Sequence, residues 1–550
     1  MRWWRPLLWA GAVAACVVAV AGCGREYDLE TVRARSDEMS ERILEALYQT
    51  DACGAELDLT AIYREYADLA DPDLARYVDR ERRSESDPRA RKQLDYLFFD
   101  LVGSDVYERV AAIDDSITNT EASGVIVALG DTIAYRDAGN LLYNETDSGR
   151  REELYLAIGA FEVEHTNSLR ARAVERTREG LREYGFDDLD EFESQRRQLD
   201  HDRFEETVVH FLDETDVIYR TLTDDAAREI FGVDVADVPD YDRGRLFRGA
   251  EFDVHFPAEG MMPLLLSTWA EMGVDIEAIP AIHIDDEDRP EKEPRAAEYC
   301  VRPGEDVRVL IKPAGGVYDY ETLFHEVGHA LHDAFAAVSE YEFQRLGDYG
   351  VTETYAYIPE QLLSDEAFLE EKELITAPGT RRAFLRSQLL GELGSARYYA
   401  ALFRYERVLH GGGLTGDELV EAYRAFMEEA RLVPLEHPEF GYLSGNEDFY
   451  GVNYLEAWFL AAQVRAVLVD RFGGKWWSEP AAGAFLEELW AYGSELSSAE
   501  VARHLGYDGL DSSYFIEEIR TAFDRYAGGA GRASATGADR LTEPRYAVNR

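Results

Sequence analysis

Glu321-Thr-Leu-Phe-His325-Glu326-Val-Gly-His329-Ala-Leu-His332-Asp333 is the stretch that decides how the rest of this chain is read. Leu323, Phe324, Val327, Ala330 and Leu331 make it apolar at helical intervals, which predicts an interior helix. At helical pitch His325 and His329 leave that helix about 40° apart, one turn from each other. Buried imidazoles need partners, and two on one face form a two-point grip for a single zinc ion. Glu326 follows the first histidine, where its carboxylate reaches a water at the metal without ligating it. H-E-x-x-H is a metalloprotease signature for that reason.

Two neutral imidazoles leave zinc short of a third protein ligand, with the fourth position kept for water. Downstream, Gly350-Val-Thr352-Glu353-Thr-Tyr-Ala-Tyr-Ile-Pro359-Glu360 begins another helical pattern. Glu353 lies 24 residues after His329, Glu360 lies 31 and Glu342 lies 13. Glu353 is the expected third ligand, and Glu360 is expected to support the helix or a ligand from outside. His332 falls about 20° from His325 but two turns on, so it is expected to line or buttress the site.

Upstream, Asp306-Val-Arg-Val-Leu-Ile-Lys312-Pro313 alternates and is β-branched, the best strand pattern in the chain. It ends in Gly315-Gly316 just before the motif helix. A strand there either pairs with an extended peptide or is an ordinary structural hairpin, and Gly315 and Gly316 are candidate substrate contacts. The preceding segment is rich in proline and carries Asp285-Asp286-Glu287-Asp288, whose spacing favours a solvated turn over a calcium loop. Further downstream, Tyr450 and Tyr454 are four apart after a glycine-rich loop and are predicted to share a helix face, where a hydroxyl can meet a developing oxyanion.

The outer parts of the chain supply the frame. Residues 23–240 read as helices, including Ser36–Tyr48, Asp87–Leu101, Glu152–Tyr184 and Phe192–Thr223, and are expected to form one wall of a cleft. His165, His201 and His210 are read there as surface or packing residues. Residues 241–526 are expected to form the catalytic region. The last residues, 527–550, are rich in Gly, Ala, Ser and Thr and read as a disordered tail. At the other end, Arg2 and Arg5 precede an apolar run, Leu7 to Ala21, too short to span a bilayer comfortably. Residues 1–22 therefore read as an export signal.

Composition fits an exported, packed protein. A hydrophobic fraction of 46% and an aromatic fraction of 12% exclude wholesale disorder despite a net charge of −52. That charge makes nucleic acid an unfavourable partner, since its phosphates would be repelled. The basic residues are almost all Arg, with only five lysines, a surface suited either to a salt-rich habitat or to an acidic proteome in general. Cys53 and Cys300 are left after the signal and Cys23, as a long-range disulfide or as two buried thiols.

Val20-Ala21-Gly22-Cys23 resembles the lipobox of bacterial lipoproteins, which implies acylation at Cys23 and a membrane-anchored chain facing the periplasm or the cell exterior. His325-Glu326-Val-Gly-His329-Ala-Leu-His332, with Glu353 and the late tyrosines, is similar to the thimet oligopeptidase and oligoendopeptidase F family of zinc peptidases. The resemblance covers about Val307 to Trp458. It implies a mainly α fold, a large helical ellipsoid with a deep central channel and a small β-sheet beside the motif helix. It also implies hydrolysis of short peptides, with His325, His329 and Glu353 on zinc, Glu326 as base, and Tyr450 or Tyr454 at the oxyanion. The family's histidine before its tyrosines has no clean counterpart; His437 is the nearest. A dipeptidyl-carboxypeptidase of the angiotensin-converting type and a non-catalytic peptide-binding lipoprotein are the alternatives. The sequence carries no sign of the oligomeric state.

Overall fold

The computed structural model describes residues 27–293 and 296–527. The stretch read as an export signal, Cys23 and residues 528–550 lie outside them. The described residues are mainly helical, with a two-stranded and a three-stranded sheet.

Aspartates start many of the helices. Asp87, Asp147, Asp188, Asp200, Asp348 and Asp365 each accept a backbone N–H at a helix N-terminus, which satisfies orphan donors and places negative charge at the positive end of the dipole. Asp200 also divides the expected Phe192–Thr223 helix. Leu189–Arg197 ends at Gln198 in the left-handed region, φ 56°, and His201–Ile230 begins anew. Glu152–Tyr184 is likewise interrupted, by one π-turn at Glu162–Thr166.

Two large cores lie side by side. The first joins helices from Val32 to Tyr219 with residues from Leu389 to Phe459. The second gathers residues from Phe252 to Leu385 with others from Leu460 to Ala502. Two long helices run through both. In Pro378–Gly411, Leu385 belongs to the second core and Leu389 to the first; in Gly451–Phe472, Phe459 belongs to the first and Leu460 to the second. A boundary at residue 240 therefore does not separate the cores, because the C-terminal helices complete the N-terminal one.

The small sheet sits under the motif helix, Val317–Phe335. Its strands are β3 (Ile282–Asp285), β4 (Ala297–Arg302) and β5 (Asp306–Leu310), in the order β3-β5-β4; β1 (Val125–Ala128) and β2 (Asp131–Ala134) form the separate hairpin. β5 pairs on one side with β3 in parallel and on the other with β4 antiparallel. It is central, so its backbone groups are spent and no peptide can add to it. Of the two alternatives for Asp306–Pro313 the structural hairpin, β4 with β5, is the one present, and the strand bordering the motif helix at the sheet edge is β4.

Gly315 and Gly316, at φ 81° and 94°, form the turn that launches the motif helix. A Cβ on Gly315 would meet Ala258 N at 2.7 Å, and Gly316 N donates to Phe256 O at 2.7 Å. Their glycine character serves this close backbone approach. The acidic turn holds its own cation. The Lys292 ammonium, buried, donates to Asp285 O, Asp285 Oδ1, Glu287 O and Ile311 O at 2.7 to 2.9 Å. Cys53 and Cys300 are both free, and Cys53 is exposed, which sets aside the disulfide and the buried-pair reading alike.

Candidate metal centre

The motif helix and the helix Tyr349–Glu360 cross at a glycine. A Cβ on Gly328 would stand 2.7 Å from Ala356 Cα and 2.7 Å from Tyr355 O. Without a side chain at that point the two backbones meet, and Glu353 is carried to the histidines. His325, His329 and Glu353 each present a donor atom within 4.8 Å of the others. Nε2 of His325 is 3.1 Å from Nε2 of His329 and 3.3 Å from Glu353 Oε2; Nε2 of His329 is 3.8 Å from the same oxygen.

Outer partners fix both rings. Nδ1 of His325 lies 2.7 Å from Glu360 Oε2, and Nδ1 of His329 lies 2.9 Å from Thr352 Oγ1. Each ring thus turns Nε2 inward, the arrangement that a metal-binding histidine requires. Thr352 Oγ1 also meets Nδ1 of His332 at 3.2 Å, while His332 Nε2 lies 3.1 Å from Gly493 O, so His332 buttresses the site. Tyr450 donates its hydroxyl to Glu353 Oε1 at 3.1 Å.

The residues fit a divalent metal with nitrogen and oxygen ligands. Glu353 is 2% exposed, and its Oε2 is a buried oxygen without a hydrogen-bond donor of regular geometry. Burial disfavours the charged imidazolium on His325, but the Glu353 and Glu360 carboxylates outweigh it and raise its pKa well above the ordinary value. Burial drives His329 the other way, down to about 3. Two carboxylates thus draw positive charge to one point between them.

Glu326 is buried beside this group. Its Oε2 accepts the backbone N–H of Glu298 on β4 at 2.8 Å, which aims the carboxylate along the sheet edge. Glu342, the other glutamate soon after the motif, is occupied by Arg33 Nε at 2.6 Å.

A cavity of about 900 Å³ opens on the site, with His325, Glu326, Tyr357 and Tyr454 in its wall. The structure separates the two candidate tyrosines. Tyr454 borders the cavity, whereas Tyr450, 7% exposed, turns to Glu353. Asp448 and Phe449, at φ 51° and 66°, make the turn before Tyr450. Arg197, on Phe449 O at 3.0 Å and on Asn453 Oδ1, and Glu406, on Phe449 N at 3.1 Å, hold it.

His437 is elsewhere; it stacks on Phe440 at 4.7 Å and bonds Glu439 at 3.0 Å, outside the cavity wall. Tyr357, edge-on to His325 at 5.4 Å, was not singled out from the sequence, though it lies one helical turn after Glu353. Glu298, Cys300 and Asp333 form a second group of donor atoms, also within 4.8 Å of one another.

Compared with family models and with curated proteins, the chain matches none.

Proposed function

We propose that this chain is a zinc-dependent metallopeptidase that hydrolyses short peptides, of the kind found in the thimet oligopeptidase and oligoendopeptidase F family. The observation that carries the reading is the convergence of His325, His329, Glu353 and Glu326 beside one cavity. Zinc held by His325, His329 and Glu353 would polarise the scissile carbonyl and lower the pKa of a water.

Glu326 takes the proton of the attacking water on its carboxylate and returns it to the leaving amine nitrogen. The β4 N–H on Oε2 fixes the face that the carboxylate presents. The Tyr454 hydroxyl, in the cavity wall, donates to the oxygen on which negative charge develops. Tyr450 acts one step removed, holding Glu353. Glu360 and Thr352 keep the two Nε2 atoms directed inward. A cavity of about 900 Å³ suits an extended peptide and excludes a folded domain.

The test is a quenched-peptide library assayed on the wild-type chain with chelator, after zinc return, and on Glu326→Gln. Cleavage should vanish with chelator, recover with zinc and fall by about a hundredfold or more in the variant. Cleavage retained by Glu326→Gln would sink the assignment. We further propose export and acylation at Cys23, with loss of membrane fractionation in Cys23→Ala as the check; no described helix is long and apolar enough to cross a membrane.

A further inference from the structure

The cavity wall is electrically uneven. It carries Glu321, Glu360, which touches His325, and Glu392; burial pushes Glu321 up to about 8 and Glu392 up to about 7. Two arginines, Arg243 and Arg431, enter another part of the same wall. Arg243 is committed, since it pairs with Asp240 and donates to Val238 O at 3.1 Å.

Arg431 is not. It is the last residue of the helix Asp417–Arg431, half-buried, and among the described residues no carboxylate pairs with it and no oxygen accepts from it. Its guanidinium carbon lies 5.2 Å from the centre of the Tyr398 ring. An aromatic ring there restrains the guanidinium while its N–H groups stay available, the condition for two parallel bonds to a carboxylate.

A row of rings connects this point to the triad. Tyr398 is 5.3 Å from Tyr399, Tyr399 is 5.0 Å from Tyr454, Tyr454 is 6.5 Å from Tyr357, and Tyr357 is 5.4 Å from His325. All five border the cavity. Such a row gives apolar faces to any side chain and hydroxyls to a peptide backbone, so it discriminates weakly by sequence.

We propose that Arg431 is a subsite for a carboxylate of the substrate, the C-terminal one or that of an acidic side chain, and that its place along the tyrosine row selects which peptide bond reaches the triad. Arg431 draws that carboxylate to its own end of the cavity, and this sets the direction in which the peptide lies. The inference rests on the peptidase reading, which it deepens.

The test uses the full chain carrying Glu326→Gln, loaded with zinc, and a series of short N-acetylated peptides made as free acids and as C-terminal amides. Their binding is measured by competition against a fluorescent free-acid peptide. The free acid should bind roughly tenfold or more tightly than its amide. Arg431→Gln should bring that ratio close to one, and Arg431→Lys should keep part of it. An amide with Glu at its last position distinguishes the sources: binding like the free acid assigns the subsite to a side chain, and binding like the plain amide assigns it to the terminus. Equal binding of free acids, plain amides and Glu amides would overturn the proposal. Should Arg431→Gln fail to fold, the parent's acid-to-amide ratio and Arg431→Lys decide. A retained ratio with no peptide hydrolysis by the wild-type chain would remove the peptidase reading and leave the carboxylate subsite standing.

Discussion

His325, His329 and Glu353 lie on one side of the motif helix, and Glu298, Cys300 and Asp333 gather where its end meets β4; by distance the two groups are equivalent. Their chemistry is not. In the first, each imidazole has an outside partner on Nδ1 that leaves Nε2 facing Glu353 Oε2. In the second, the Cys300 thiol and Asp333 are hydrogen-bonded to each other, and burial pushes Glu298 and Cys300 well above their ordinary pKa values and Asp333 up as well. A metal needs deprotonated donors, so these upward shifts oppose metal binding in the second group. Partners outside the cluster, more than proximity within it, decide which donors are available.

Substitutions can break that contrast. The largest effect is expected for His325→Ala or Glu353→Ala, where zinc measured by elemental analysis should drop from about one per chain to background. Turnover should vanish with it, and metal retained in either variant would refute the triad. Next comes Glu326→Gln, which should keep its zinc while kcat falls about 10²- to 10⁴-fold. Thr352→Val removes the hydroxyl on His329 Nδ1 without touching a donor atom. Zinc affinity, measured by chelator competition, should weaken by about 10- to 100-fold, and an unchanged affinity would show the outer partner to be dispensable. The smallest change belongs to the second group, where Cys300→Ser should alter zinc content and kcat/KM by less than about twofold. Loss of a full metal equivalent in Cys300→Ser would make the two groups alike after all.

How far the sequence reveals these features depends on where each one is encoded. The histidine pair is legible because both residues lie on one helix at a spacing that fixes their face. Glu353 is legible from its place on the next helix, and Gly328 shows why it arrives, since the missing side chain lets the two backbones touch. β5 has the clearest strand pattern yet is closed on both sides, because alternation reports burial and not strand order. The spacing of Tyr450 and Tyr454 offers either for the oxyanion without choosing; the left-handed turn at Asp448 and Phe449 precedes the helix and sends Tyr450 to Glu353. Arg431 and Tyr357 face the cavity through tertiary packing that no local spacing records.

Lys292 bears on how the zinc experiments are read. Its ammonium is tied by the chain itself to the acidic turn, so part of that turn's negative charge is met from within the fold. A melting temperature that falls on chelation and returns with zinc but not with calcium then reports occupancy of the triad rather than of the most calcium-like stretch of the chain.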